Sequence, residues 1–134
     1  MTVSKTDSLT ISSSTDIVLI RQEVRKWSGE LGVSLVDQTK MITAASELAR
    51  NSLDYGGGGS VLFEVVHEGT KRGLRLTFED QGPGIADIDL ALTDGYTSGK
   101  GMGLGLGGAK RLVNAFEITS RVGVGTRVTI TRWK

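Results

Sequence analysis

Between residues 95 and 108 the chain reads GYTSGKGMGLGLGG, seven glycines in fourteen residues, and a run with helical spacing begins where it ends. Glycine loses more conformational freedom on folding than any other residue. A chain that concentrates it here either brings bare backbone against something or keeps a segment that must move. No hydrophobic periodicity is visible from Asp80 to Gly103, and loops of that length inside compact domains tend to carry function. The chain as a whole has 19 glycines and one proline, Pro83.

On either side of that stretch the pattern is regular. SLTISS (8–13) alternates weakly and predicts a short opening strand. Thr15 and Asp16 are helix-capping types, and Ile17, Ile20, Val24, Trp27 and Leu31 form one helical stripe, stopped by Gly32. A second helix is predicted from Leu35 to Asp54, with Val36, Ile42, Ala45, Leu48, Ala49 and Leu53 among its apolar positions. GGGG (56–59) ends it and is too short for a linker between domains. SVLFEVVHE and GLRLTFED, joined by GTKRG, predict a hairpin. LGLGGAKRLVNAF predicts a third helix through Leu106, Ala109, Leu112, Val113 and Phe116. FEITSRVGVGTRVTITRW predicts a closing hairpin around Gly123–Gly125. The order β-α-α-β-β-loop-α-β-β places strands next to one another with only turns between them. It therefore implies a two-layer α+β sandwich, a mixed but mostly antiparallel sheet with helices on one face. At 134 residues, the expectation is a single domain spanning residues 1–134.

Composition removes several classes of function. There is no cysteine, hence no disulfide, thiol nucleophile or thiolate metal site. One histidine, His67, leaves little material for a histidine metal cage or a Ser-His-Asp triad. A net charge of +1 gives no support for a nucleic-acid or anionic-membrane partner. No apolar run approaches the roughly 20 residues that span a bilayer, and MTVSKTDSLT lacks the apolar core of a signal peptide. The expectation is a cytoplasmic protein without a nucleic-acid or membrane partner.

Three stretches carry the candidate chemistry. The glycine-rich run contains a formal G-x-G-x-x-G at Gly103, Gly105 and Gly108, but no apolar strand leads into it, so the dinucleotide-binding context is missing. Gly99-Lys100 is followed by Gly101 rather than Ser or Thr, so it is not a Walker A loop. What remains is a helix start whose free N–H groups and positive dipole end form an anion site; read alone, it serves equally as a surface loop. SELARN puts Glu47 and Asn51 one helical turn apart on one face. A carboxylate there can orient or deprotonate a nucleophile, and the carboxamide oxygen can ligate Mg²⁺. The same pair is also what an ordinary solvated helix face carries. EDQGPGI ends a strand with Asp80, followed by Gly82 and Gly84. This is either a common turn or an acceptor for an exocyclic amine, with the glycines letting a flat ring lie against the backbone.

The order of the three is more specific than any one of them. An Asn-bearing helix, a hairpin, D-x-G-x-G, an irregular loop, G-x-G-x-G and a helix resemble the GHKL (Bergerat-fold) ATP-binding superfamily of gyrase, Hsp90, histidine kinases and MutL, over nearly the whole chain. The resemblance maps the N box onto Glu47 to Asn51, the G1 box onto Asp80-Gln81-Gly82-Pro83-Gly84 and the G2 box onto residues 101–106. It implies an ATP lid over Ile85–Gly103, and ATP and Mg²⁺ as cofactors. Asp80 would hold the adenine amino group with support from Thr126, and Asn51 would ligate Mg²⁺. Backbone around Gly101, Gly103, Leu104, Gly105 and Leu106 would hold phosphates, with Glu47 as general base. Lys100 is a further candidate for the γ-phosphate.

Within the superfamily, gyrase, Hsp90 and MutL types carry a large further domain, and a sensor histidine kinase needs a helical phospho-acceptor domain. The chain instead resembles the small serine kinases of bacterial partner-switching modules. TDIVLIRQEVRKWSGELG, DQTKMITAASELARN and ITRWK are closer to the stressosome switch kinases of the RsbT type than to the anti-sigma factor kinases. The implied partner is a STAS-domain substrate, with a PP2C-type phosphatase or a sigma factor as the further regulator.

Overall fold

The computed structural model describes residues 1–93 and 105–134. Nine elements follow in order: β1 (Thr2–Ile11), α1 (Ser14–Glu30), α2 (Leu35–Asp54), β2 (Gly59–Glu68), β3 (Lys71–Asp80), α3 (Ile88–Ala91), α4 (Gly105–Arg111), β4 (Ala115–Arg121) and β5 (Gly125–Trp133). The strands form one sheet in the order β1-β2-β3-β5-β4. Every pairing among the described residues is antiparallel, so no parallel pair makes the sheet mixed. The last hairpin docks through its second strand, which puts β5 beside β3 and β4 at the edge. None of the described helices is long and apolar enough to cross a membrane.

One face of the sheet is apolar. Val61 and Phe63 on β2, Leu74, Leu76 and Phe78 on β3, and Val128 and Ile130 on β5 are buried there against Ile20, Val24 and Trp27 of α1 and Met41, Ala45 and Leu48 of α2. The Trp27 and Phe63 rings lie 5.3 Å apart between centroids. Period-2 alternation in the strands and the helical stripe on α1 and α2 thus bury the same core. The opposite face is polar and cross-linked between neighbouring strands. Arg75 bonds Glu64 at 2.9 Å, Arg127 bonds Glu79 at 2.9 Å, and the Thr77 and Thr129 hydroxyls meet at 3.3 Å.

Helix starts are closed by local hydrogen bonds. The Asp16 carboxylate accepts from the Ser12 and Ser13 N–H groups at 2.8 and 3.1 Å. The Ser34 hydroxyl accepts from the Asp37 N–H at 3.2 Å. Asp37 in turn pairs with Arg132 at 2.6 Å, tying the first turn of α2 to the end of β5. That guanidinium holds the Asp37 carboxyl below the usual range, and the Ser12 N–H does the same for Asp16.

Three expectations from sequence change. β1 runs from Thr2 rather than Ser8, because its pairing with β2 extends to His67, whereas the strand's mostly exposed side chains carry no apolar alternation. The third helix stops at Arg111 instead of reaching Phe116. Beyond it the Asn114 N–H donates to the Thr131 carbonyl at 2.9 Å, and the Asn114 side chain accepts from the Trp133 N–H at 2.7 Å, drawing the chain into the sheet. The described part of the irregular stretch after Asp80 holds a helical turn, α3, started by Asp87 accepting from the Leu90 N–H at 3.0 Å.

Leu76→Ala, at a fully buried position of the central strand, is expected to cost about 2–5 kcal/mol in urea unfolding. Leu62→Ala, on the polar face, is expected to cost about 0.5 kcal/mol. Because the folded-state pKa of Asp37 lies below its unfolded value, its carboxylate contributes stability above that value, and the contribution is lost as pH falls through the lowered one. Asp37→Asn should therefore melt below the wild type at neutral pH, and the two melting temperatures should converge in acid, below the ordinary carboxyl value of 3.8.

Candidate nucleotide-binding site

The apolar face ends in polar residues where β3, β5 and β4 stop. Asp80 is the last residue of β3 and stands in register with Thr126 on β5, which pairs in turn with Ser120 on β4. By strand alternation, Asp80 continues the row of Leu74, Leu76 and Phe78, and Thr126 continues that of Val128 and Ile130. All three polar residues are half-buried. The sheet thus brings Asp80 and Thr126, 46 positions apart in the chain, side by side.

Close backbone packing surrounds Asp80. A Cβ on Gly56, just past α2, would lie 2.5 Å from the Asp80 Cβ and 2.7 Å from the Ser52 carbonyl oxygen. A Cβ on Gly82 would lie 2.6 Å from the Gly56 Cα, and one on Gly125 would lie 2.9 Å from the Gln81 Cα. Real Cβ contacts of this length do not occur, so these positions exclude side chains and let three connections converge on one carboxylate. Asp80 Oδ1 accepts from the Gly82 N–H at 3.0 Å, which turns the chain away from the strand. Gly84 continues that turn at φ +77°, which glycine adopts without a steric penalty.

Glu47 and Asn51 sit one turn apart on α2, both half-buried. The Asn51 carbonyl accepts from the Tyr55 and Gly56 N–H groups at 3.0 and 3.3 Å. The residue packed on Asp80 is therefore hydrogen-bonded to the backbone of Asn51, and the two motifs share one connection. Gly105 opens α4 at φ +68°, and Leu106 is buried in the core. Lys100, Gly101, Gly103 and Leu104 lie outside the described residues, so of the phosphate-binding candidates only Gly105 and Leu106 are placed.

The structure adds Ser120, which sequence reading did not single out. Its hydroxyl accepts from the Ile85 N–H at 2.7 Å, contacts the Thr126 hydroxyl at 2.7 Å and reaches the Gly125 carbonyl at 3.1 Å. The Pro83 carbonyl also accepts from the Gly123 N–H at 2.8 Å. Residues 82–85 are thus fastened along the end of the β4–β5 hairpin. A serine in a strand carries no local signal for this; only the register with Thr126 reveals it. Gly56 was equally hidden, inside a run that reads as a simple turn.

The fold is thus an antiparallel sheet backed by helices, with Asp80 at a strand end and Asn51 on α2. Residues 36–134 match the histidine kinase-, DNA gyrase B- and HSP90-like ATPases, and the chain belongs to that family. Within it, the chain is similar to the serine/threonine-protein kinase RsbT of Bacillus subtilis (strain 168), 45% identical over 118 residues, covering 88% of this chain and 89% of that protein. It is also 32% identical to an anti-sigma F factor of Clostridium kluyveri over 124 residues, covering 88% and 86%. Two solved structures share the fold. One is the RsbU and RsbW domains of a Mycobacterium tuberculosis protein, with TM-score 0.68, 20% identity and coverage of 98% of this chain but 33% of that one. The other is the mycobacterial sensor histidine kinase MprB, with TM-score 0.57, 18% identity and coverage of 96% and 97%.

If close packing at Gly56 shapes the site, Gly56→Ala should destabilise the fold by about 1–3 kcal/mol and weaken ATP binding in calorimetry. Gly29→Ala on α1, where a Cβ meets nothing nearer than 3.8 Å, should stabilise by about 0.5–1 kcal/mol and leave nucleotide affinity as it is.

Proposed function

We propose that this protein is an ATP-dependent serine/threonine kinase of a bacterial partner-switching module that phosphorylates a STAS-domain protein. The observation that supports this best is the joining of the two motifs. Asp80, paired with Thr126, is packed by Gly56, which is bonded to the backbone of Asn51, and Glu47 precedes Asn51 by one turn on the same helix.

In this reading the Asp80 carboxylate, acceptor-only when ionised, takes the adenine amino group with Thr126 beside it. Gly82 and Gly84 are closed off by the backbone of Gly56 and Arg121, so they shape the corner rather than receive the ring as the sequence suggested, and backbone at Gly105 and Leu106 would hold phosphate oxygens. Mg²⁺ keeps most of its shell as water and phosphate oxygen and needs one or two protein oxygens; the Asn51 amide oxygen is the candidate. When bound, the ion would neutralise phosphate charge.

The reaction forms a bond between the acceptor hydroxyl oxygen and the γ-phosphorus and breaks the bond from that phosphorus to the β–γ bridging oxygen, releasing ADP. Glu47 takes the hydroxyl proton. Phosphoryl transfer rests largely on positioning and charge neutralisation, and Glu47, half-buried one turn from Asn51, would supply the base while the ion and the nucleotide-holding residues supply the rest. The higher identity to a serine/threonine-protein kinase than to an anti-sigma F factor favours a switch kinase that passes to a PP2C-type phosphatase. In the second reading it sequesters a sigma factor and phosphorylates the STAS-domain antagonist.

Glu47→Gln should bind ATP within a few-fold of wild type while phosphorylation of a STAS-domain protein falls by about 10²–10⁴. Asp80→Asn and Asn51→Ala should instead weaken Mg·ATP binding itself, measured by calorimetry. Unchanged binding in both variants would remove the nucleotide reading. Transfer persisting in Glu47→Gln would remove Glu47 as the base.

A further inference from the structure

We propose that Ser120 fixes the direction of the Thr126 hydroxyl, and so makes the Asp80–Thr126 pair select a purine that carries an amino group at C6. The inference rests on adenine being read at Asp80.

A serine hydroxyl has one proton to donate and two lone pairs that accept. Ser120 makes three contacts. The Ile85 N–H, 2.7 Å away, can only donate. The Gly125 carbonyl, 3.1 Å away, can only accept. The third partner, the Thr126 hydroxyl at 2.7 Å, can do either. All three contacts are hydrogen bonds in one arrangement only. Ser120 gives its proton to the Gly125 carbonyl, receives the Ile85 N–H on one lone pair and receives the Thr126 proton on the other. The capacity of the Ser120 hydroxyl is then full, and the Thr126 proton points at Ser120.

What Thr126 offers on its other side is therefore lone pairs alone. Its cross-strand partner is Asp80, and paired side chains on one face have Cβ atoms about 4.5–5.5 Å apart. Asp80 Oδ1 already accepts from the Gly82 N–H, and the carboxylate has no proton of its own to donate. The pair thus presents acceptors and no donor. An exocyclic amine at C6 satisfies such a pair. A C6 oxygen beside an unprotonated N1 meets lone pairs with lone pairs, and a site built to bond one group rejects the analogue that leaves its polar groups unpaired. Without Ser120 the Thr126 hydroxyl turns freely and can donate to such an oxygen. The Ile85 bond fastens the loop in addition, so losing Ser120 lowers affinity for every nucleotide; the ratio between two bases isolates the effect on the proton.

The test is calorimetric binding of ADP and 6-methoxypurine riboside diphosphate, which carries an ether oxygen in place of the amine and, like adenine, no proton on N1, to the full chain. Wild type should prefer ADP by about tenfold or more. Ser120→Ala should shrink that ratio by about tenfold, while Ser120→Thr, which keeps the hydroxyl, should preserve it. Thr126→Val removes the oriented group altogether and should also shrink the ratio, so the outcome does not depend on one variant folding. If Ser120→Ala weakens both nucleotides by the same factor, Ser120 is only a tether for the loop and the proposal is overturned. A wild-type ratio in Thr126→Val overturns it as well. Asp80→Asn separates the two levels: ADP bound as tightly as by wild type means that adenine is not read there, and the adenine reading falls together with this one.

Discussion

How closely backbone can approach Asp80 is the constraint on which the rest of the site depends. Three connections meet there: the turn leaving α2, the chain leaving β3 and the turn between β4 and β5. Each brings a residue without a side chain to the contact, Gly56, Gly82 and Gly125, and at each a Cβ would fall within 3 Å of a neighbour's atoms. A carboxylate drawn into a half-buried corner loses hydration, a cost that only hydrogen bonds can offset. The Gly82 N–H supplies one of them. The glycines are therefore packing residues here. They are short because something else must come close.

The sheet itself explains why the candidate site falls at this corner. With the helices on one face, the row of core side chains on each strand runs toward the strand ends, and at Asp80, Thr126 and Ser120 it changes from apolar to polar. α2 crosses that face and delivers Glu47 and Asn51 near its C-terminal end. α4 is too short, at seven residues, to be stable by itself. It is held by burying Leu106 and Ala109, while the Leu112 carbonyl just beyond it accepts from Arg132 at 3.2 Å. Arg132 also grips Asp37 on α2, so one guanidinium joins the end of β5, the first turn of α2 and the end of α4.

Legibility differed by element for physical reasons. α2 matches its expected limits because a strong stripe, a serine before it and a glycine run after it all act locally. β2 and β3 were equally plain, since both bury one face and alternate accordingly. β1 was underestimated because an edge strand with mostly exposed side chains carries no apolar signal; its backbone pairing decides its length. The end of α4 was overestimated because Leu112, Val113 and Phe116 continue a helical spacing that the sheet overrides through Asn114. In the site, Glu47, Asn51, Asp80 and Thr126 were nominated by motif and order. Ser120 and Gly56 were invisible, because their roles exist only across strands and between turns.

The sequence by itself determined the element types, the one-sided core, the family and the four polar residues most worth testing. Those follow from local periodicity, from capping and from the order of motifs, all of which are properties of short stretches. The tertiary structure alone decided that β5 lies between β3 and β4, and hence that Thr126 stands beside Asp80 and Ser120 beside Thr126. Strand order and register are set by which faces bury together and by how near two backbones can come. Those are distances between residues far apart in the chain, and no short stretch contains them.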